Sequence, residues 1–579
     1  MLRRLLDLAL GPIRDLGTPE RIVLFGVSVL HVAAIGWGLP ASDCWDVDGI
    51  SPRDFLPGLV KTFTPGDHFT YPPLHLALLT LLTLPITIAT LVKAPSLAPP
   101  DLIATFLAVP VMTSFALAAR LVNFLMSLGI VLAVGRMSSA IFGRRARVWA
   151  MAVSGVEVAG TYYAHTTNLD IPALFWSSLA LLALIFALEA DDPKKLRRVA
   201  ILAACGIASK DQAYAIFAVS VPIVLSLWIA RRHRSGGEVR PLVRQSILFA
   251  VTGVGLVLLF DGALFNPTGF AARVRFLAGP ASQDFAQYSR DWSGRLSTFQ
   301  DAVAFLPHHY PTFVAPVLVA GAIFAVARAK GNARIAALVP LLGALSFTLA
   351  FNCVARRVEE RFMLPQMQLM AVYAGAVGVV LERWAASARL LHRAGAAALR
   401  VYAVICVLGG VRLSTCVVLT MASDPRYDAE RFVREHVRPE DVVEVYGSNV
   451  YLPRFPPTAT VHRIDERPPA KRNPMPGLIE KQDRLGTIEA RKPRWVIVSM
   501  GYAWRYLQES HGPEDGRVLP AIQLATLADA DARDHFRSLF HQRAGYFIAH
   551  VSHYDGTKLL PARPMHASLA ADVFIFERR

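Results

Sequence analysis

Several signatures of soluble nucleotide- or metal-dependent enzymes are missing from the sequence. It contains no G-x-G-x-x-G and no G-x-x-x-x-G-K-[ST], the loops that cradle phosphates on backbone amides. It contains no H-E-x-x-H and no C-x-x-C pair, which excludes the common zinc frameworks. Any chemistry therefore does not start from a cytosolic nucleotide held by a Gly-rich loop. Cysteine is scarce, at five in 579 residues, too few for a disulfide-stapled scaffold. Cys205, Cys406 and Cys416 fall in apolar segments, where they pack. Cys44 and Cys353 fall in loops where a disulfide could tie two candidate site segments together. No repeat of solenoid type is present. Charged residues make up only 18% of the chain against 54% apolar ones.

The apolar residues come in blocks of about 20, the length that spans a bilayer. The first, 21–40, reads as a retained anchor and not a cleaved signal, because no small-x-small site precedes a soluble domain. Further blocks lie near 111–135, 147–164, 170–189, 199–209, 212–230, 245–263, 313–328, 334–352, 362–381 and 401–421. The segment 74–92 is as apolar and reads either as a span or as a helix lying in the interface. The expected fold is a polytopic α-helical membrane protein with about 11–13 spans.

The net charge of +16 would suit nucleic acid, but its distribution does not. Lys and Arg gather in short loops: Arg3, Arg4 and Arg14; Arg144, Arg145 and Arg147; Lys194, Lys195, Arg197 and Arg198; Arg231, Arg232 and Arg234; Arg328, Lys330 and Arg334; Arg383, Arg389 and Arg393. That is the positive-inside pattern, so these loops and residues 1–21 are expected to be cytoplasmic. The segments 41–110, 164–169, 264–312, 353–361 and all after 422 then face outside.

After 422 the composition changes. Short apolar runs at 441–448, 494–500, 545–552 and 572–579 read as strands. Residues 425–437 and 519–540 read as helices, and 455–477 as a Pro-rich loop. The chain thus divides into a transmembrane domain, 22–421, and an extracytoplasmic α/β domain, 422–579.

Polar residues collect at the outer ends of the spans, where a charge is costly and needs a reason. Asp46 and Asp48, with Asp43 nearby, follow the first span. His165, Asn168 and Asp170 stand at an outer turn, Lys210 and Asp211 inside an apolar stretch, and Arg356, Arg357, Glu359, Glu360 and Arg361 immediately before a span. Arg120 interrupts "FALAARLVNFLM". Each has a plainer reading: Asp170 as a helix cap, Lys210–Asp211 as a neighbouring pair at a hairpin turn, 356–361 as interfacial anchoring, and the aspartates as a solvated loop. His308 and His309 read as loop residues and not metal ligands. If the groups converge instead, a carboxylate can take a proton from an attacking hydroxyl, while Arg and Lys hold a departing phosphate.

"WDVDGISPRDF" followed by "YPPLH", then "AHTTNLDIPALFW", "ASKDQ" and "EERFMLP", resemble the GT-C superfamily of polytopic glycosyltransferases, nearest its protein O-mannosyltransferase-like and aminoarabinose-transferase-like branch. The resemblance runs from 22 to about 381, and "SDPRYDAERFVREHV" resembles the outer domain of many bacterial members. It implies an integral membrane enzyme of the bacterial inner membrane. The enzyme would move a sugar, with inversion, from a polyprenyl-phosphate carrier to a lipid, glycan or protein acceptor on the outer face. It implies an acidic base in the first outer loop. Many members have adjacent Asp-Glu there; here the pair is Asp-Val-Asp. Asp48 is favoured as base, and Asp46 would point the same way in an extended loop and tune it. His165 and Asp170 would orient acceptor or base, Lys210, Arg357 and Arg361 would bind the carrier phosphate, and His75, Arg120, Asn168 and Glu360 complete the expected substrate-binding set. Two carboxylates can hold Mg2+, yet the resembled branch implies no cofactor. The alternatives are a transporter or lipid flippase, which would show paired repeats and broken midplane helices, and a non-catalytic scaffold.

Overall fold

The computed structural model describes residues 14–579 except 42, 67–70, 467–474, 476 and 509–516. Arg3 and Arg4 lie outside the described residues. The chain forms a helical body through residue 422 followed by a six-stranded sheet with flanking helices, the fold class expected from the sequence.

Among the described residues, seven helices are long and apolar enough to cross a membrane, or nine if two bent pairs each count as one span. The shortfall from eleven has local causes. The block at 147–164 is cut into Arg147–Gly155 and Val158–Ala164, because the Glu157 side chain accepts the amides of Ala159 and Gly160 and starts a new helix. The first anchor is a 15-residue helix, Thr18–Val32, and Leu196–Ile207 has only 12 residues. The ambiguous segment 74–92 is Pro73–Leu82 and Leu84–Lys93, bent by 59° at Thr83, whose hydroxyl turns back on the Leu79 carbonyl at 2.7 Å.

Burial sorts the spans. The 18-residue apolar windows of helices 360–385 and 170–189 are 89% and 78% buried, whereas that of 240–260 is only 6% buried. The first two are therefore central and the last faces lipid. The 34-residue helix Val109–Phe142 carries Pro110 in its first turn, where the missing N–H costs nothing. It packs against both the first helix and 170–189.

In the C-terminal domain the strands are β1 Val442–Tyr446, β2 Thr460–Asp465, β3 Leu478–Gln482, β4 Trp495–Ser499, β5 Tyr546–Ser552 and β6 Val573–Arg578. Their order is β3-β2-β1-β4-β6-β5. β1 to β4 are parallel, and β6 runs antiparallel beside β4 and β5. Two strands correct the sequence reading: β2 lies inside the expected Pro-rich loop and β3 directly after it. Their side chains are held by a polar network, with buried Arg463 on Glu480 and Asn449, so apolar content undersells them. The expected helix 519–540 breaks into Ala521–Leu527 and Ala530–Phe540, because Asp529 caps the second by accepting the Ala532 amide at 3.1 Å.

The parallel strand order diverges between β1 and β4, the position where open α/β sheets leave a crevice at the carboxyl ends of their strands. That end faces the helical body. Asn449, just after β1, donates to Asp43 at 3.0 Å. Trp37 donates to Asp424 at 3.1 Å, and the Tyr427 hydroxyl accepts the Gly38 amide at 2.8 Å.

Candidate active site

The first loop is built before it is functional. Arg120, fully buried, donates to the carbonyls of Ile35 and Trp37, both at 2.7 Å. The Arg426 guanidinium lies 4.0 Å over the Trp45 ring. The Thr167 hydroxyl donates to the Ile50 carbonyl at 2.8 Å, and Asn123 donates to the carbonyls of Thr166 and Asn168. Residues 46–49 are therefore a fixed turn, with the Gly49 amide on the Asp46 carbonyl at 3.2 Å, and not the extended segment expected.

The turn separates the two carboxylates. Asp46 is buried, with one oxygen accepting from the Tyr162 hydroxyl at 3.2 Å and the other unpartnered. Burial pushes its pKa up, against the pull of His566 and with Asp48 adding to the rise. Asp48 keeps 26% side-chain exposure and is ion-paired with Arg361. Burial works to raise its pKa too, but Arg361, His566 and Lys210 together hold it below the usual carboxylate range. One carboxyl thus favours its proton and the other its charge, the split that separates acid from base roles in paired carboxylates.

Around Asp48 the cations are in turn held by carboxylates. Arg361 also approaches Glu359 at 3.4 Å and lies 4.5 Å over the Phe362 ring. Arg357 pairs with Glu359 at 2.6 Å. Lys210 pairs with Asp170 at 2.6 Å, not with Asp211, whose partner is Arg273. Asp170 opens helix 170–189 as its first residue and not as its cap. Glu360 begins the span after Arg357 and lines, with Glu359 and Arg361, a cavity of about 520 Å³ between the helical body and the C-terminal domain.

The other expected site residues lie in buried surroundings away from the Asp48–Arg361 pair. Besides Arg120, His165 sits on the Thr161 carbonyl at 2.7 Å. Asn168 accepts the Asp170 amide at 2.8 Å and so shapes the turn that presents Asp170. His75 is buried without a hydrogen-bond partner. His309, expected in a loop, ends a short helix, Leu306–His309, and is buried with its Nδ1 against the Glu157 carboxylate. Cys44 and Cys353 are free thiols. Among the described residues, no group of three or more His, Cys, Asp and Glu side chains is arranged to hold a metal ion.

One site residue was missed. His566 of the C-terminal domain places Nε2 3.0 Å from the Tyr163 hydroxyl and 3.8 Å from the Asp48 carboxylate. Nothing in the local sequence "RPMHASLA" marks it; only the docking of the two domains does.

A multi-span helical body with this cluster of carboxylates and guanidinium groups at one end suits a membrane-bound transferase. Residues 99–260 match the model of the family described as dolichyl-phosphate-mannose-protein mannosyltransferase. No curated protein matches in sequence. Similar solved structures include ArnT from Cupriavidus metallidurans bound to undecaprenyl phosphate, at 15% identity and a TM-score of 0.48, covering 96% of this chain and 97% of that one. They also include the archaeal oligosaccharyltransferase AglB from Archaeoglobus fulgidus in complex with an inhibitory peptide and a dolichol-phosphate, at 11% identity and a TM-score of 0.48, covering 96% and 88%.

Proposed function

We propose that the enzyme moves a sugar from a polyprenyl-phosphate carrier to a lipid, glycan or protein acceptor, with inversion, on the membrane face covered by its C-terminal domain. The observation that carries this reading is the Asp48 carboxylate paired to Arg361 at the end of the spans, with Lys210 close enough to lower its proton affinity. The positive-inside pattern puts this face outside the cytoplasm, in a bacterial inner membrane.

Asp48 takes the acceptor hydroxyl proton as the acceptor oxygen bonds to the anomeric carbon. The bond from that carbon to the carrier phosphate breaks, and the phosphate leaves with the electron pair. Arg361 and Lys210 stabilise the charge it gains. Because Arg361 holds Asp48 in the free enzyme, an arriving phosphate competes for the same guanidinium. Binding the donor therefore loosens Asp48 and raises its basicity when the proton must move. Burial of Asp46 favours its protonated form, which disfavours a second negative charge near the phosphate.

The test is carrier release by the purified protein in nanodiscs with a panel of undecaprenyl-phosphate sugars and membrane lipid extract. Free undecaprenyl phosphate together with a new glycoside of inverted configuration supports the reading. Movement of intact donor across vesicles with no new glycoside overturns it in favour of a transporter.

A further inference from the structure

His566 stands in an unusual place. It belongs to the segment between β5 and β6 of the C-terminal domain, yet its ring lies among groups of the helical body. The Tyr162 and Tyr163 ring centroids are 5.8 and 6.2 Å away. Its neighbours Met565 and Leu569 are buried in the helical core, so the segment is anchored and not merely resting on the surface. Gly501, at the start of the helix after β4, permits this approach: a Cβ there would lie 2.2 Å from the Ala567 carbonyl oxygen. The segment is thereby pressed between the carboxyl end of β4 and the transfer site.

The geometry at Nε2 is that of a two-way choice. Tyr163 Oη and Asp48 Oδ2 are both within reach of the same nitrogen, at 3.0 and 3.8 Å. Unprotonated, Nε2 accepts the Tyr163 hydroxyl proton; protonated, it presents a donor and a positive charge to Asp48. The groups facing it are Asp46 and Asp48 from the first loop, Tyr162 and Tyr163 from helix 158–164, and Arg361. Lys210 acts on the same carboxylate, and Glu359 and Glu360 line the cavity on which His566 opens.

We propose that His566 is a positioning residue of the transfer site, supplied by the C-terminal domain, which acts through Asp48 by sharing that carboxylate with Arg361. The transferase site is then a two-domain site, complete only when the α/β domain is docked. The proposal rests on the reading of Asp48 as the base.

The experiment follows undecaprenyl phosphate release by the full chain in nanodiscs, with a panel of undecaprenyl-phosphate sugars and membrane lipid extract, across pH. Wild type, Asp48→Asn, His566→Ala and the double variant are compared, with thermal unfolding of each measured alongside. Because His566 helps to hold the Asp48 carboxylate below its usual range, His566→Ala should move the acid limb of release to higher pH and slow release by about 10-fold. In the Asp48→Asn background it should add no further loss. An unmoved acid limb in His566→Ala, or an equal loss with and without Asp48, overturns the inference. If Asp48→Asn loses release while His566→Ala matches wild type, the coupling falls and the base stands. If Asp48→Asn releases as wild type does, the base falls and the inference with it.

Discussion

Arg361 is the residue on which stability and chemistry meet, and Arg361→Gln separates them. Its guanidinium pairs with Asp48, sits 3.4 Å from Glu359 and stacks over Phe362. Two unit charges about 4 Å apart interact by about 4 kcal/mol at an effective dielectric of 20. Asp48 and Arg361 keep 26% and 15% side-chain exposure, so water screens part of this and about 2–3 kcal/mol is expected on removal. The sign with pH follows from the lowered pKa of Asp48. Its pairing contributes stability above the unfolded carboxylate value of about 3.9, and that contribution disappears as pH falls through the lower folded value. The stability gap between wild type and Arg361→Gln should therefore be full at pH 6–7 and close in acid. Without the cation, the Asp48 pKa rises by about 1–3 units, so the acid limb of carrier release should move up in pH. Release should also slow at every pH, because the proposed phosphate ligand is gone. Thermal unfolding and pH–rate profiles of the purified protein read both effects, with Arg361→Lys restoring charge but not the planar fork. An Arg361→Gln variant as stable as wild type at pH 7, with an unmoved acid limb, would refute the reasoning.

Asp46 should behave in the opposite sense. Its raised pKa means that its contribution to stability is present below the unfolded value and is lost as pH rises through the folded one. Asp46→Asn should therefore unfold at a higher temperature than wild type at pH 8, with the difference shrinking at pH 5. The Lys210–Asp170 pair, at 13% and 10% side-chain exposure, should show strong coupling. Lys210→Gln or Asp170→Asn alone strands a charge at a cost of about 3 kcal/mol, and the double variant should recover much of it in a thermal double-mutant cycle. Arg120→Met removes two charged hydrogen bonds to the carbonyls of the first-loop approach. It should cost about 3 kcal/mol or more, seen as early thermal unfolding, and it should impair release through loop disorder and not through a shifted pH profile.

Most spans and the general position of the candidate site were legible because bilayers impose length and charge rules that act on local sequence. Asp48, Lys210, Asp170 and Arg361 stood out as charges where charges are expensive, and the fold brings them to one place. The same rule also flagged Arg120, His165 and Asn168, which hold backbone carbonyls or amides together. A buried charge announces a need for partners but not whether they are backbone groups or substrate. β2 and β3 were obscured because their sides are covered by an Arg463–Glu480–Asn449 network, which leaves little alternation to read. The partners of His309 and His566 lie 152 and 403 residues away in sequence, beyond any local pattern.

The most direct test compares wild type, Asp48→Asn and Asp46→Asn for release of undecaprenyl phosphate from the donor that the wild type consumes. Asn keeps the shape and removes the base, so Asp48→Asn should lose roughly 100-fold or more, while Asp46→Asn retains most of its activity. Release by Asp48→Asn equal to that of wild type would contradict the assignment of Asp48 as the base.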